Sequence, residues 1–300
     1  MNIANYELLL KKTAERYCFR KINCDLDPRG TIESDDRVCL LRHDIDFSPK
    51  NALEMARLEH KLNTVSTFTV LLSGLYYNPF ENETKKILKQ IACYGHEIGL
   101  HFDPTNYDID SEEKLEIYVA REAKVLSDLL EVNISMFSFH NTTDFSMNCH
   151  AYEYGGLVNA YAKFFQDKVE YTSDSNGYWK FRTWEELLSE GQKIIQILTH
   201  PIWWQPQNNY PPFETVVNTV FDRGESAIAY YNSLFGGQTK KLNRSALTEW
   251  TQETDQSNAA DILNKYAKFP ALLELMGKGF SDDSNSNLKV VAKKFIDTWT

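Results

Sequence analysis

The chain has 300 residues, 42% of them apolar and 25% charged, ordinary globular proportions that exclude a disordered, collagen-like or coiled-coil architecture. That length fits one large domain, or a domain with an appendage. A net charge of −10 without a basic stripe argues against duplex nucleic acid as a partner, and no apolar run reaches the roughly 18 residues that would span a membrane.

In chain order, Met1–Lys12, with Leu8-Leu9-Leu10 ahead of Lys11-Lys12, reads as an amphipathic helix rather than a leader peptide, so the cytoplasm is the expected location. The five cysteines form no CxxC pair, which points to small buried hydrophobes rather than a disulfide framework or a thiolate zinc site. Val38-Cys39-Leu40-Leu41 is a buried strand running into Arg42-His43-Asp44-Ile45-Asp46. Ser48-Pro49 then caps a helix over 49–62, marked by Ala52, Met55, Ala56, Glu59 and Leu62. A second strand covers 65–72, a helix runs from Glu81 to Tyr94 and stops at Gly95, and a third strand covers 97–102. Ser111 caps a helix reaching about Leu130, and a fourth strand covers 134–139. Two further strands, 169–172 and 194–199, are expected with helical segments near 155–165 and 183–190 between them.

Strands alternating with helices argue for an α/β fold with a parallel sheet or barrel. The expected organisation is an N-terminal helix and lead-in over 1–34 and a barrel over 35–213. A helical extension over 214–300, with a polar loop at 279–287, is expected to pack on the barrel. Polar residues gather where strands end, at Asp44, Asp46, His101, His140 and His200, the rim on which such barrels build their sites.

Asp44 and Asp46 are two apart on a strand and share one face. Two adjacent carboxylates do not both stay ionised without a cation or proton between them, so one can bind a metal while the other acts as a base. Asp46 could equally cap the helix that follows. His96 and His101, five apart, cannot both ligate one ion from a regular helix or strand. His101 is the better ligand candidate and His96 the structural one. His140 and His200 also end strands, and a carboxylate with neutral imidazoles suits zinc, which in catalytic sites takes about three protein ligands. Trp203, Trp204, Tyr76 and Tyr77 are candidates for a sugar-stacking wall, with core packing as the alternative.

Leu40-Leu41-Arg42-His43-Asp44-Ile45-Asp46 and Gly95-His96-Glu97-Ile98-Gly99-Leu100-His101 resemble the first two motifs of the polysaccharide deacetylases, the NodB-homology or family 4 carbohydrate esterases. Over residues 35–210 the resemblance implies a distorted (β/α) barrel of about seven parallel strands with a C-terminal helical extension. It implies Asp44 as general base, Asp46 and His101 as ligands of a divalent metal, zinc being the one expected, and His200, closing Ile197-Leu198-Thr199-His200, as general acid. Asp174 and Trp179 resemble the substrate-lining acid and tryptophan. The chain departs from the pattern at Thr105, where the second metal histidine would stand, and at Ser138-Phe139-His140-Asn141, which replaces an arginine-proline motif. His140 is therefore expected to supply the missing ligand. The expected activity is hydrolytic removal of acetyl from an N-acetylated amino sugar, soluble or carrier-linked. The alternatives are a non-catalytic sugar-binding relative and a metal-free hydrolase of a small amide.

Overall fold

The computed structural model describes residues 1–23, 26, 36–205 and 212–235. The chain divides into two compact units, Met1–Arg223 and Gly224–Thr300. In the first unit, helix α1 (Ile3–Ala14) is followed by strands β1 (Cys18–Arg20) and β2 (Val38–Ile45), α2 (Pro49–Lys61), β3 (Thr67–Leu71) and α3 (Asn82–Cys93). Next come β4 (Glu97–Phe102), α4 (Glu112–Leu130), β5 (Met136–Phe139), and the short strands β6 (Glu153–Tyr154) and β7 (Leu157–Asn159). Helix α5 (Lys163–Lys168), β8 (Glu170–Ser173), α6 (Trp184–Glu190), β9 (Ile194–Thr199) and α7 (Pro212–Phe235) complete the described elements. Of the second unit, only the end of α7 is described; the expected helices beyond Phe235 and the polar loop at 279–287 lie outside the described residues, as does most of the lead-in over 24–35.

The strands form one curled sheet, in the order β6-β7-β5-β4-β3-β2-β9-β8, with β1 beside the first half of β2. Every pairing is parallel except β6 with β7. This is a distorted, open (β/α) barrel, as the motif resemblance implies, and it fits the parallel sheet or barrel that the alternation of strands and helices argues for. Cys18–Arg20 adds a short parallel strand to the expected set by pairing with Val38–Leu40, ahead of the point where β3 takes over that edge.

The local signals act as read. Ser48 accepts a hydrogen bond from the Asn51 amide and Ser111 one from Lys114, while Gly95 takes φ +92 to end the α3 turn. One segment differs. Residues 155–160, expected to be helical, instead form the β6–β7 hairpin and its exit. Gly155 and Gly156 adopt φ +58 and +78, the backbone of a two-residue hairpin turn, and only Lys163–Lys168 is helical.

Alternation along β2 decides what the barrel holds. Val38 and Leu40 point into an apolar plug with Ile22, Met136, Val158 and Ile194, whereas Cys39 and Leu41 pack outward with α1 and α6 residues such as Leu10 and Leu187. Two steps further along the inner face come Arg42 and Asp44, so the interior changes from apolar to charged towards the C-terminal ends of the strands. The outer layer of α2, α3 and α4 covers the sheet with a second apolar cluster that includes Phe68, Leu88, Val119 and Phe137.

Candidate functional site

The C-terminal ends of β2, β4, β5 and β9 bring Asp44, Asp46, His101, His140 and His200 together. Asp46 follows the last residue of β2, and capping is done by Ser48, so the Asp46 carboxylate is left to the rim. Its Oδ1 lies 3.1 Å from His101 Nε2 and 3.4 Å from His140 Nδ1, and these ring nitrogens are 3.1 Å apart. Oδ1 is buried and has no aligned hydrogen bond. Two imidazole nitrogens and a carboxylate oxygen thus lie against one another, an arrangement that suits a cation or a shared proton. Burial works to raise the Asp46 carboxyl, but contact with His101 and His140 and the charge of His200 outweigh it and hold it far below the usual carboxylate range.

The imidazoles are aimed by their other atoms. His101 Nδ1 is 2.8 Å from Ser138 Oγ, which leaves Nε2 for the convergence point. His140 is placed by its amide, which donates to the Phe102 carbonyl at 2.8 Å. Burial works to lower His140, and the neighbouring Asp46 carboxylate overrides it and raises it. Thr105, at the family's histidine position, is exposed, and its hydroxyl donates to Asp103 Oδ1 at 2.6 Å. Asn141 donates to the other oxygen of Asp103 at 2.9 Å. The rim therefore takes its second imidazole from β5 rather than from the turn after β4.

Asp44 is held differently. Arg42 Nε stands 3.0 Å from Oδ1 and Nη2 donates to Oδ2 at 3.2 Å, with both side chains almost completely buried. Thr69 donates to Oδ1 at 2.7 Å, and Ser138 Oγ lies 3.5 Å away. Burial would raise Asp44, but Arg42 first, then His101 and His200, keep it below its ordinary value. Asp44 is a fixed, charged carboxylate at the edge of the three-atom cluster, with His101 Nε2 3.8 Å from its Oδ2.

His200 stands at the end of β9 with Nε2 3.8 Å from Asp46 Oδ2. Its Nδ1 is 2.7 Å from Asp174 Oδ1, and its own amide donates to both oxygens of that carboxylate, at 2.9 and 3.2 Å. Trp204 Nε1 donates to Asp174 Oδ2 at 2.7 Å. Burial pulls His200 down, but the Asp174 hydrogen bond and charge, helped by Asp46 and Asp44, carry it up to about 9. His200 is then a cation near neutral pH, with Nδ1–H on Asp174 and Nε2–H towards the rim.

The aromatic candidates separate into two kinds. Trp204 is buried behind Asp174, and Tyr77 is buried with its hydroxyl donating to the Ile45 carbonyl at 2.7 Å and accepting from the Leu71 amide at 2.9 Å. Neither presents a face to a ligand. Trp179, half-buried, lies 6.3 Å from Trp204, and Asp174 is inside the fold rather than on its lining. Tyr76 and Trp203 are half-buried and each packs near Phe47, the residue after Asp46, at 4.4 and 6.1 Å between ring centroids. Sequence reading passed over Arg42, Thr69, Ser138 and Phe47. Arg42 was findable, because a residue two before Asp44 on a strand shares its face.

No family model matches this chain, and no curated protein does. Among solved structures it is similar to a family 4 acetyl xylan esterase from Clostridium thermocellum in complex with a cobalt ion, at 20% identity, covering 62% of this chain and 84% of that one, TM-score 0.35. It is also similar to a family 4 carbohydrate esterase of Bacillus subtilis, at 9% identity, covering 73% and 84%, TM-score 0.36. A third is a CE4 family pseudoenzyme from Bacillus anthracis, at 11% identity, covering 64% and 62%, TM-score 0.34.

Proposed function

We propose that the protein is a divalent-metal hydrolase that removes the acetyl group from an N-acetylated amino sugar. The observation that carries this reading is the convergence of Asp46 Oδ1, His101 Nε2 and His140 Nδ1 within 4.8 Å of one another, beside a charged carboxylate and a protonated imidazole. These three atoms would hold the ion, and a borderline cation such as zinc suits one oxygen and two nitrogens. Bound there, the ion would supply Lewis-acid polarisation of the amide carbonyl and of water.

The remaining steps belong to the chain. Asp44, kept ionised by Arg42 and oriented by the Thr69 hydroxyl, takes the proton of the attacking water. His200, held in the Nε2–H form by Asp174, gives its proton to the departing amine nitrogen. The two groups are pushed to opposite charge by their neighbours, as an acid and a base working at one pH must be. Phe47, Tyr76 and Trp203 offer apolar ring faces for a sugar. Trp204 and Asp174 act through His200.

The test is release of acetate from N-acetylglucosamine carried free, on a nucleotide, on a lipid and as polymeric chitin, with zinc-loaded and chelator-treated protein. The expected result is zinc-dependent acetate from a soluble or carrier-linked sugar and little from chitin. Sugar binding without acetate would leave a binder, and acetate release unaffected by chelation would leave metal-free hydrolysis.

Asp174 gives a pH prediction. The Asp174 hydrogen bond and charge raise His200 and help it keep its proton, so activity should hold across neutral pH and fall on the alkaline side as that proton is lost. Asp174→Asn removes the largest raising influence. The alkaline limb of kcat should then move down towards the ordinary imidazole value of about 6.5, with the loss greatest at high pH. An unmoved limb in the pH–rate profile would take the proton-donor role from His200.

A further inference from the structure

A buried polar cluster lies directly behind this site, on the outer face of β2. His43 Nδ1 is 2.6 Å from Thr199 Oγ1, and His43 Nε2 is 3.0 Å from Glu59 Oε1. Glu59, on α2, also accepts from the Tyr6 hydroxyl of α1 and from the Ser66 hydroxyl, both at 2.5 Å. His43, Glu59 and Tyr6 are completely buried. Nothing in the chemistry above uses them.

Their place in the register matters. His43 and Thr199 are partners in the last rung of the β2–β9 ladder, and Asp44 and His200 are the next residue on each strand, turned to the inner face. On its other side β2 stays paired with β3 through Ile45, β3 with β4 through His101, and β4 with β5 through Phe139. The cluster of Asp46, His101 and His140 thus stands on strands laddered almost to their ends. The pair Asp44 and His200 faces across a seam whose main-chain bonds have already stopped. One side-chain contact spans that seam at its last rung, and a buried carboxylate anchored to two helices fixes the ring that makes it.

We propose that His43 is a positioning residue: clamped between Thr199 and Glu59, it sets the separation of Asp44 and His200 without touching substrate or metal. The kinetic part rests on the deacetylase reading. Thr199→Val removes the hydroxyl at nearly constant volume. It should lower kcat for acetate release about tenfold, since a misplacement of about 1 Å in a reacting constellation costs on the order of 100-fold. KM and zinc affinity should stay unchanged, because the metal-side strands keep their ladders. Thr199→Ser should restore kcat. His43→Gln with Thr199→Val should be no worse than the poorer single variant, as expected of two residues acting through one contact.

Crystal structures of the parent and Thr199→Val decide the geometry without turnover, the expected change being a widening between the Asp44 and His200 side chains on the order of 0.5 Å. A parent protein that releases no acetate defeats the deacetylase reading alone, and the two structures still decide the clamp. An unchanged separation overturns the clamp. So does a Thr199→Val variant that loses thermal stability at full kcat, or one that Thr199→Ser does not rescue.

Discussion

His140→Ala is expected to abolish zinc retention, lowering affinity by more than the roughly 10- to 100-fold that loss of an outer partner of a metal ligand costs. The argument is a ligand count. Without His140 the convergence point keeps only Asp46 Oδ1 and His101 Nε2, fewer than the roughly three protein ligands of a catalytic zinc. The Thr105 side chain cannot compensate, because its hydroxyl is committed to Asp103. The fold should survive, since His140 is only partly buried and its placing hydrogen bond comes from the backbone, which alanine retains. Metal content after dialysis and a competition titration give the readout. A variant that holds zinc as firmly as the parent would move the ion away from these three atoms and with it the function proposed here.

Much of the rim was legible because parallel α/β folds obey two periodicities at once. Asp44 and Asp46 had to share a face, and strand-terminal histidines on neighbouring strands had to reach one end of the sheet. Neighbour relations were harder to read. His140 was expected at the rim beside His101, and β4 and β5 do pair there, whereas the Asp174–His200 contact across the ends of β8 and β9 went unread, Asp174 being expected to line the substrate. Burial was least legible. Trp204 and Tyr77 carry surface-compatible polar groups, yet they spend them on Asp174 and on backbone at Ile45 and Leu71. The helical reading of 155–160 failed where two consecutive glycines with positive φ turned an apolar stretch into a hairpin.

Asp44→Asn is expected to lower acetate release by roughly two to four orders of magnitude, the usual worth of a positioned acid or base. Zinc should remain, because Asp44 is not among the three convergent atoms, whereas Asp46→Asn should lose it. The substitution is not neutral for the fold. Arg42 is buried, and Asp44 carries its countercharge. An asparagine leaves the guanidinium unpaired, a change that costs about 3–5 kcal/mol when one partner of a buried pair is removed. Lower activity in the single variant would then mix lost chemistry with lost folded protein. Arg42→Met combined with Asp44→Asn separates them, since it leaves no unpaired charge buried at this position. The double variant should recover most of the melting temperature lost by Asp44→Asn and keep its zinc. It should remain as inactive as the single variant, because no carboxylate is left to take the proton from water. Recovery of activity along with stability would show that Asp44 serves only to neutralise Arg42, and the base would have to be sought elsewhere on the rim.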